Sequence, residues 1–218
     1  DNVRTIMDPE GRITTMTYDN RDRRLSVTDP LLRRTDYTYD AANNLLTQKR
    51  PGSVTTTFTY DSMDRRLTTV DPKLQTTSFQ YDAEGNLTNL TDARGNTYVH
   101  AYDLENRQTR LTYPDTSYEE WTYDDAGNRV TYRTRAGQVM TAGFDARDRE
   151  IAQNWSAGAP NITRSFDAAG RLQSSSNGSA TTSYSYDSAN QVLSETQATA
   201  GAPAAWTVSY TYNADGLR

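Results

Sequence analysis

A two-residue unit, an aromatic followed by an acid, recurs nearly from end to end of the 218-residue chain. It stands at Tyr18-Asp19, Tyr39-Asp40, Tyr60-Asp61, Tyr81-Asp82, Tyr102-Asp103, Tyr123-Asp124, Phe144-Asp145, Phe166-Asp167 and Tyr186-Asp187, and closes in Tyr212-Asn213. Successive aromatics lie 21 residues apart six times, then 22, 20 and 26. A fixed period of this length marks a repeat architecture, in which each unit is one supersecondary element stacked on the next. The period crosses residues 1–218 without a boundary, as an array of about ten repeats.

Each period carries two turn signals. Four residues after the aromatic stand Asp22, Asn43, Asp64, Gly85, Asn106, Gly127, Asp148, Gly170, Asn190 and Gly216, only Gly, Asn and Asp. These residues tolerate positive φ or close turns through their own side chains. The second signal comes eleven residues after the aromatic, as in Asp29-Pro30, Arg50-Pro51-Gly52, Asp71-Pro72 and Asn177-Gly178. Two turns per 21 residues leave segments of strand length, too short for helices, so each repeat reads as a β-hairpin. Hairpin turns are expected near residues 19–23, 40–44, 61–65, 82–86 and 103–107. Longer loops are expected where the period slips, at Ala157-Gly158-Ala159-Pro160 and Ala200-Gly201-Ala202-Pro203.

The strand entering each turn alternates, as in Tyr37-Thr38-Tyr39, Phe58-Thr59-Tyr60 and Trp121-Thr122-Tyr123. Period two places both aromatics on one face and Thr on the other. The returning strand is expected to add Leu25, Leu45, Leu67, Leu87, Val130, Leu172 and Val192 as cross-strand partners. Composition explains why such pairs must suffice. Leu, Val, Ile and Phe number 31, too few for a thick aliphatic core, yet 15 Tyr, 4 Phe and 3 Trp at a net charge of −5 are unlike a disordered chain. The expected fold is therefore all-β, with tandem 21-residue hairpins forming a long curved antiparallel sheet, a spiral or an open shell. About twenty strands spaced at roughly 4.8 Å would span about 100 Å, and rolled once would enclose a radius of about 16 Å, too wide for side chains to fill.

Catalytic and binding chemistry finds little support. With no Cys there is no disulfide or thiolate, and basic residues interleaved with a majority of acids disfavour a nucleic-acid partner. No apolar run is long enough for a transmembrane helix. The acids after each aromatic could suggest a calcium ladder, but calcium needs six to eight oxygens, and Asx-turn bonds or pairing with Arg suit single carboxylates better. His100, the only His, occupies a sheet-face repeat position, and Glu119-Glu120 and Asp124-Asp125 are strand neighbours pointing to opposite faces. No cofactor or metal is expected. Trp155 and Trp206, beside the lengthened loops, are the candidate ligand contacts; Trp121 is a repeat position.

The pattern in Tyr81-Asp82-Ala83-Glu84-Gly85-Asn86-Leu87-Thr88 and Phe166-Asp167-Ala168-Ala169-Gly170-Arg171-Leu172 resembles the YD repeat of the Rhs family. That family includes bacterial polymorphic toxins, cocoon components of Tc toxins, wall-associated proteins and teneurins. The resemblance implies a β-sheet spiralling into a hollow shell that encloses a toxic polypeptide, in a secreted or cell-surface protein. The toxin members close their repeats with a self-cleaving aspartyl segment, and nothing after Tyr186 matches it. The chain is thus expected to be a piece of a longer one. Its expected role is a non-catalytic shell segment whose partners are the rest of its parent chain and an enclosed toxin. The alternatives are an adhesive array binding a glycan or surface receptor, and a fibre assembled through sheet edges.

Overall fold

The computed structural model describes residues 4–202 and 204–213, which form twenty strands and no helix. Pro203 of the second lengthened loop and Gly216 of the last turn signal lie outside the described residues. The strands belong to one antiparallel sheet, and the chain divides into two compact units. The first comprises Asp1–Arg107 with Thr112–Thr116, the second Gln108–Leu111 with Ser117–Arg218, so the division falls within the strand Gln108–Thr112.

The first unit holds β1 (Thr5–Met7), β2 (Ile13–Tyr18), β3 (Arg24–Thr28), β4 (Arg34–Tyr39), β5 (Leu45–Arg50), β6 (Val54–Tyr60), β7 (Arg66–Val70), β8 (Thr76–Tyr81), β9 (Leu87–Thr91) and β10 (Thr97–Tyr102). Each pairs antiparallel with its chain neighbour, a plain meander. β11 (Gln108–Thr112) comes next. The second unit continues with β12 (Tyr118–Tyr123), β13 (Arg129–Arg133), β14 (Val139–Phe144), β15 (Glu150–Trp155), β16 (Ile162–Phe166), β17 (Leu172–Ser176), β18 (Ala180–Tyr186), β19 (Val192–Thr199) and β20 (Trp206–Ser209). These too pair neighbour to neighbour.

Almost nothing is buried. Met140 (4% exposed) and Ser26 (2%) are the buried residues among those described. The accessible surface of 14199 Å² compares with about 10,000 Å² expected of a compact protein of this mass. Cohesion therefore lies within the sheet. On the face opposite the aromatics, hydroxyls pair across several hairpins: Thr38 with Thr47, Thr59 with Thr68 and Thr122 with Thr131, each at 2.7 Å. On the aromatic face of the second unit, Trp121 stacks on Tyr132 (6.0 Å, 7°), and Tyr132 meets Trp155 edge-on (6.3 Å, 80°). Met140 sits opposite both Tyr132 and Trp155 in register, which accounts for its burial.

The aliphatic partners differ from expectation. Pairing slips by one residue immediately before the aromatic in eight hairpins, for example between Thr38 and Tyr39. The aromatic is then opposite the sixth residue after it, so Leu45, Leu87, Leu172 and Val192 do face Tyr39, Tyr81, Phe166 and Tyr186. Leu25, Leu67 and Val130 are seventh residues and fall at the bulge, leaving Leu25 and Leu67 exposed. A bulge adds one residue to one strand and so changes the facing of the residues beyond it. Arginine takes the vacated partner position at Arg24 and Arg66, with the guanidinium 5.0 Å from the Tyr37 ring and 4.8 Å from the Phe58 ring.

Candidate functional site: a stapled row of turns

The turn after each aromatic is one recurring frame. At the first, Asp19 N–H donates to Arg23 O (2.9 Å) and Asp22 N–H to Asp19 O (3.2 Å), closing a three-residue loop. Asp22 has φ 60, the left-handed residue such loops require. The same bonds recur from Asp40 to Asn44, Asp61 to Arg65, Asp82 to Asn86, Asp103 to Arg107, Asp124 to Asn128, Asp145 to Arg149, Asp167 to Arg171 and Asp187 to Gln191. Gly85, Gly127 and Gly170 occupy the left-handed position at φ 96, 89 and 89.

The aspartate holds this frame from inside. Asp61 Oδ1 accepts from Met63 N–H (2.9 Å) and Arg65 N–H (3.0 Å), while Oδ2 accepts from Arg65 Nε (2.7 Å). Partial burial pulls the Asp61 carboxyl upward, but the Arg65 N–H, the Arg65 guanidinium and the Met63 N–H together outweigh it and leave the group below its usual value. At Asp145 the Arg149 guanidinium bond dominates, opposed by partial burial and helped by the Arg147 and Arg149 N–H groups, and the carboxyl falls to about 2. Among the described residues no group of three or more His, Cys, Asp or Glu is arranged to hold a metal ion.

Neighbouring repeats are tied together by the fifth residue after the aromatic. Arg23 donates through Nη1 to Asp40 O (2.7 Å) and Asn43 Oδ1 (3.0 Å) of the next turn and lies 5.0 Å from the Tyr39 ring. Arg65 reaches Asp82 O (2.9 Å), and Arg171 reaches Asp187 O and Asn190 Oδ1, both at 3.0 Å. Asparagine makes the same staple when it replaces arginine: Asn44 Nδ2 donates to Asp64 Oδ1 (2.6 Å), Asn86 Nδ2 to Asn106 Oδ1 (2.7 Å) and Asn128 Nδ2 to Asp148 Oδ1 (3.0 Å). Sequence reasoning gave each Asp an Asx-turn bond or a nearby Arg but missed this lateral role. Its signal was present, since Arg23, Asn44, Arg65, Asn86, Arg107, Asn128, Arg149 and Arg171 recur with the aromatics.

The repeat tyrosines supply a second tie. Tyr39 Oη donates to Arg24 O (2.9 Å), Tyr60 to Leu45 O (3.0 Å), Tyr81 to Arg66 O (3.0 Å), Tyr102 to Leu87 O (3.0 Å) and Tyr123 to Gln108 O (2.9 Å). Tyr186 and Tyr212 donate likewise to Leu172 O and Val192 O. Arg24, Leu45, Arg66, Leu87, Leu172 and Val192, which accept six of these bonds, each stand beside the preceding bulge. Tyr18 donates to Met16 Sδ (3.4 Å), and Phe144 and Phe166 have no hydroxyl to give.

The two candidate ligand-contact tryptophans are not alike. Trp155 belongs to the ring cluster with Tyr132, and its backbone N–H donates to Asn161 Oδ1 at 2.8 Å. Trp206 is 50% exposed on β20, opposite Gln197. His100 lines an open groove of about 530 Å³ with Asp82, Asn86, Tyr102 and Asp103.

A family model described as RHS Repeat matches residues 1–33, 39–76, 66–97, 81–118 and 166–202. Among curated proteins no match is found. Solved structures match over nearly the whole chain. A TcdB2–TccC3 complex without its hypervariable C-terminal region is 16% identical, with a TM-score of 0.63 over 98% of this chain and 16% of that chain. A second TcdB2–TccC3 structure gives 16% identity and a TM-score of 0.61, over 95% of this chain and 16% of that one. A Tc holotoxin pore of Photorhabdus luminescens, with a mutation in TccC3, gives 16% identity and a TM-score of 0.52, over 99% and 15%. At these identities the likeness is one of fold, and this chain spans only a small part of each.

Proposed function

The chain belongs to the RHS repeat family, and from that premise we propose that it is a non-catalytic wall segment of a larger secreted or surface protein, enclosing or presenting a toxin or other effector polypeptide. The observation that carries this reading is the lateral stapling of turns in a sheet with almost no buried side chains. Cohesion spread evenly along the sheet suits a barrier, whereas an enzyme concentrates order around one pocket. The wall acts sterically: its backbone groups are satisfied within the sheet and leave little to pair with an unfolded cargo. The TcdB2–TccC3 structures support the reading through their fold.

The adhesive reading draws on one observation, the half-exposed Trp206. The two readings part on deletion of one repeat from the parent protein. A repeat sheet's stability is nearly a sum over neighbouring units, so excising Tyr81 to Ala101 rejoins equivalent positions and leaves a folded wall. A shell depends on closure, so this deletion is expected to expose cargo to protease abruptly in limited proteolysis. Cargo protection that survives the deletion, with surface binding falling in steps as units are removed, would replace the shell by an adhesin.

A further inference from the structure

A groove of about 480 Å³ lies between two neighbouring turns of the first unit, lined by Val27, Asp29, Arg33, Thr35, Arg50, Pro51 and Val54. Its floor is built of short side chains, since Thr35 is opposite Val27 and Arg50 is opposite Val54. Thr35, four residues before Tyr39, matches Thr14, Thr56 and Thr77 at the equivalent positions, whereas Tyr98 is large there and meets Tyr113 edge-on at 6.0 Å. The groove's departure from the repeat is one of charge. Arg50 stands eleven residues after its aromatic, where Asp29, Asp71 and Asp92 supply the turn carboxylate in other repeats. Arg33 in the same groove is held by Asp29 at 2.6 Å, but no acid among the described residues pairs with Arg50. A free guanidinium beside an apolar floor is thus set into a chain whose net charge is −5.

We propose that this groove binds an acidic peptide segment, a carboxylate flanked by an apolar side chain, with Arg50 taking the carboxylate and Val27, Val54 and Pro51 the apolar neighbour. A guanidinium fork matches a carboxylate bidentately, and this pairing strengthens against a low-dielectric surface. The groove is shallow and widely open, which suits a side chain presented by a longer polypeptide; a free small molecule needs most of its surface enclosed. This site is independent of whether the wall encloses a cargo.

The test is titration of the isotopically labelled 218-residue chain with acetyl-Leu-Glu-Leu-amide, monitored by NMR at the backbone amides of Val27, Thr35 and Val54 and at Arg50 Nε. Saturable shifts confined to these groups are expected, at least tenfold weaker for the twin peptide with Gln in place of Glu. Arg50→Gln should weaken binding at least tenfold. Thr35→Tyr, which imitates Tyr98 and keeps Arg50, should abolish the shifts at Val27 and Val54 while the sheet remains folded by circular dichroism. Equal binding of the two peptides, or binding unchanged by either substitution in a folded chain, would overturn the proposal.

Discussion

The turns at the two ends of the strands share one hydrogen-bond frame yet differ in what fills it. In the row just after the aromatics, the left-handed position holds Gly, Asn or Asp throughout, and Arg or Asn ties turn to turn. In the opposite row the frame recurs, with Asp29 N–H donating to Arg33 O (3.1 Å) and Leu32 N–H to Asp29 O (2.9 Å). There, however, the left-handed position falls to Leu32 (φ 60), Ser53 (φ 62), Leu74 (φ 62) and Thr116 (φ 67) as well as to glycine. A side chain with a Cβ costs about 1–2 kcal/mol in that conformation, more when branched. Leu32 and Leu74 are also 83% exposed, so packing returns nothing for the strain. Lateral ties in this row come from residues such as Arg135, which donates to Ser117 Oγ at 2.7 Å. The first row joins the repeats by one recurring tie, and the second, tied less regularly, absorbs variation, including the loop of Ala157 to Pro160. The difference teaches that a repeat sheet can keep strict chemistry at one end of its strands and leave the other end free to diverge.

The largest expected effect comes from acid, because it strikes the stapled row at once. Asp19, Asp40, Asp61, Asp82, Asp103, Asp124, Asp145 and Asp167 all have folded-state carboxyls held below the ordinary 3.8. A depressed folded value contributes stability that is fully present above the unfolded value and is lost as pH falls through the folded one. With Asp145 near 2, the β signal in circular dichroism should hold from neutral pH down to about 4 and collapse between about 4 and 2. In the opposite row Asp8, Asp29 and Asp92 are lowered too, so carboxyl NMR should find depressed titrations in both rows but most of them in the first. A transition centred near pH 6 would contradict the carboxylate staples.

Gly127→Val tests the strict row by a single change. At φ 89 a branched residue should lower stability by about 1–2 kcal/mol in urea unfolding, and an unchanged midpoint would remove the case for a strained turn there. The reverse experiment addresses the permissive row. Leu32→Gly and Leu74→Asn relieve strain without losing packing and should each raise stability by several tenths to about 1 kcal/mol. If both destabilise the protein, the exposed leucines have a role that the turn geometry does not explain. The smallest effect concerns the tyrosine ties. Tyr81→Phe should cost about 1 kcal/mol, whereas Phe144→Tyr should gain up to about that much by supplying the missing hydroxyl. Thermal unfolding of the pair distinguishes this from simple ring packing, which predicts no change in either.

Turns and hairpins were legible because their causes span four or five residues: Asp61 caps its own turn through Met63 and Arg65, and Gly85 supplies its own φ. The stapling residues Arg65 and Asn86 were visible as a period but not as a contact, since their partners lie 17 and 20 residues away across intervening strands. Trp155 looked free beside a lengthened loop, yet lateral register sets it against Tyr132 and Met140.

By itself, then, the sequence determined the period, the two turns per repeat, the alternation that puts aromatics on one face, and the aspartate at each turn, all consequences of local backbone sterics and side-chain spacing. Only the tertiary structure decided that a bulge turns Leu25 and Leu67 outward, that repeat tyrosines such as Tyr81 find the carbonyl beside the preceding bulge, and that small residues open a groove beside Arg50. These depend on register between strands, where a shift of one residue reverses every side chain, and register is settled by the whole sheet pairing at once.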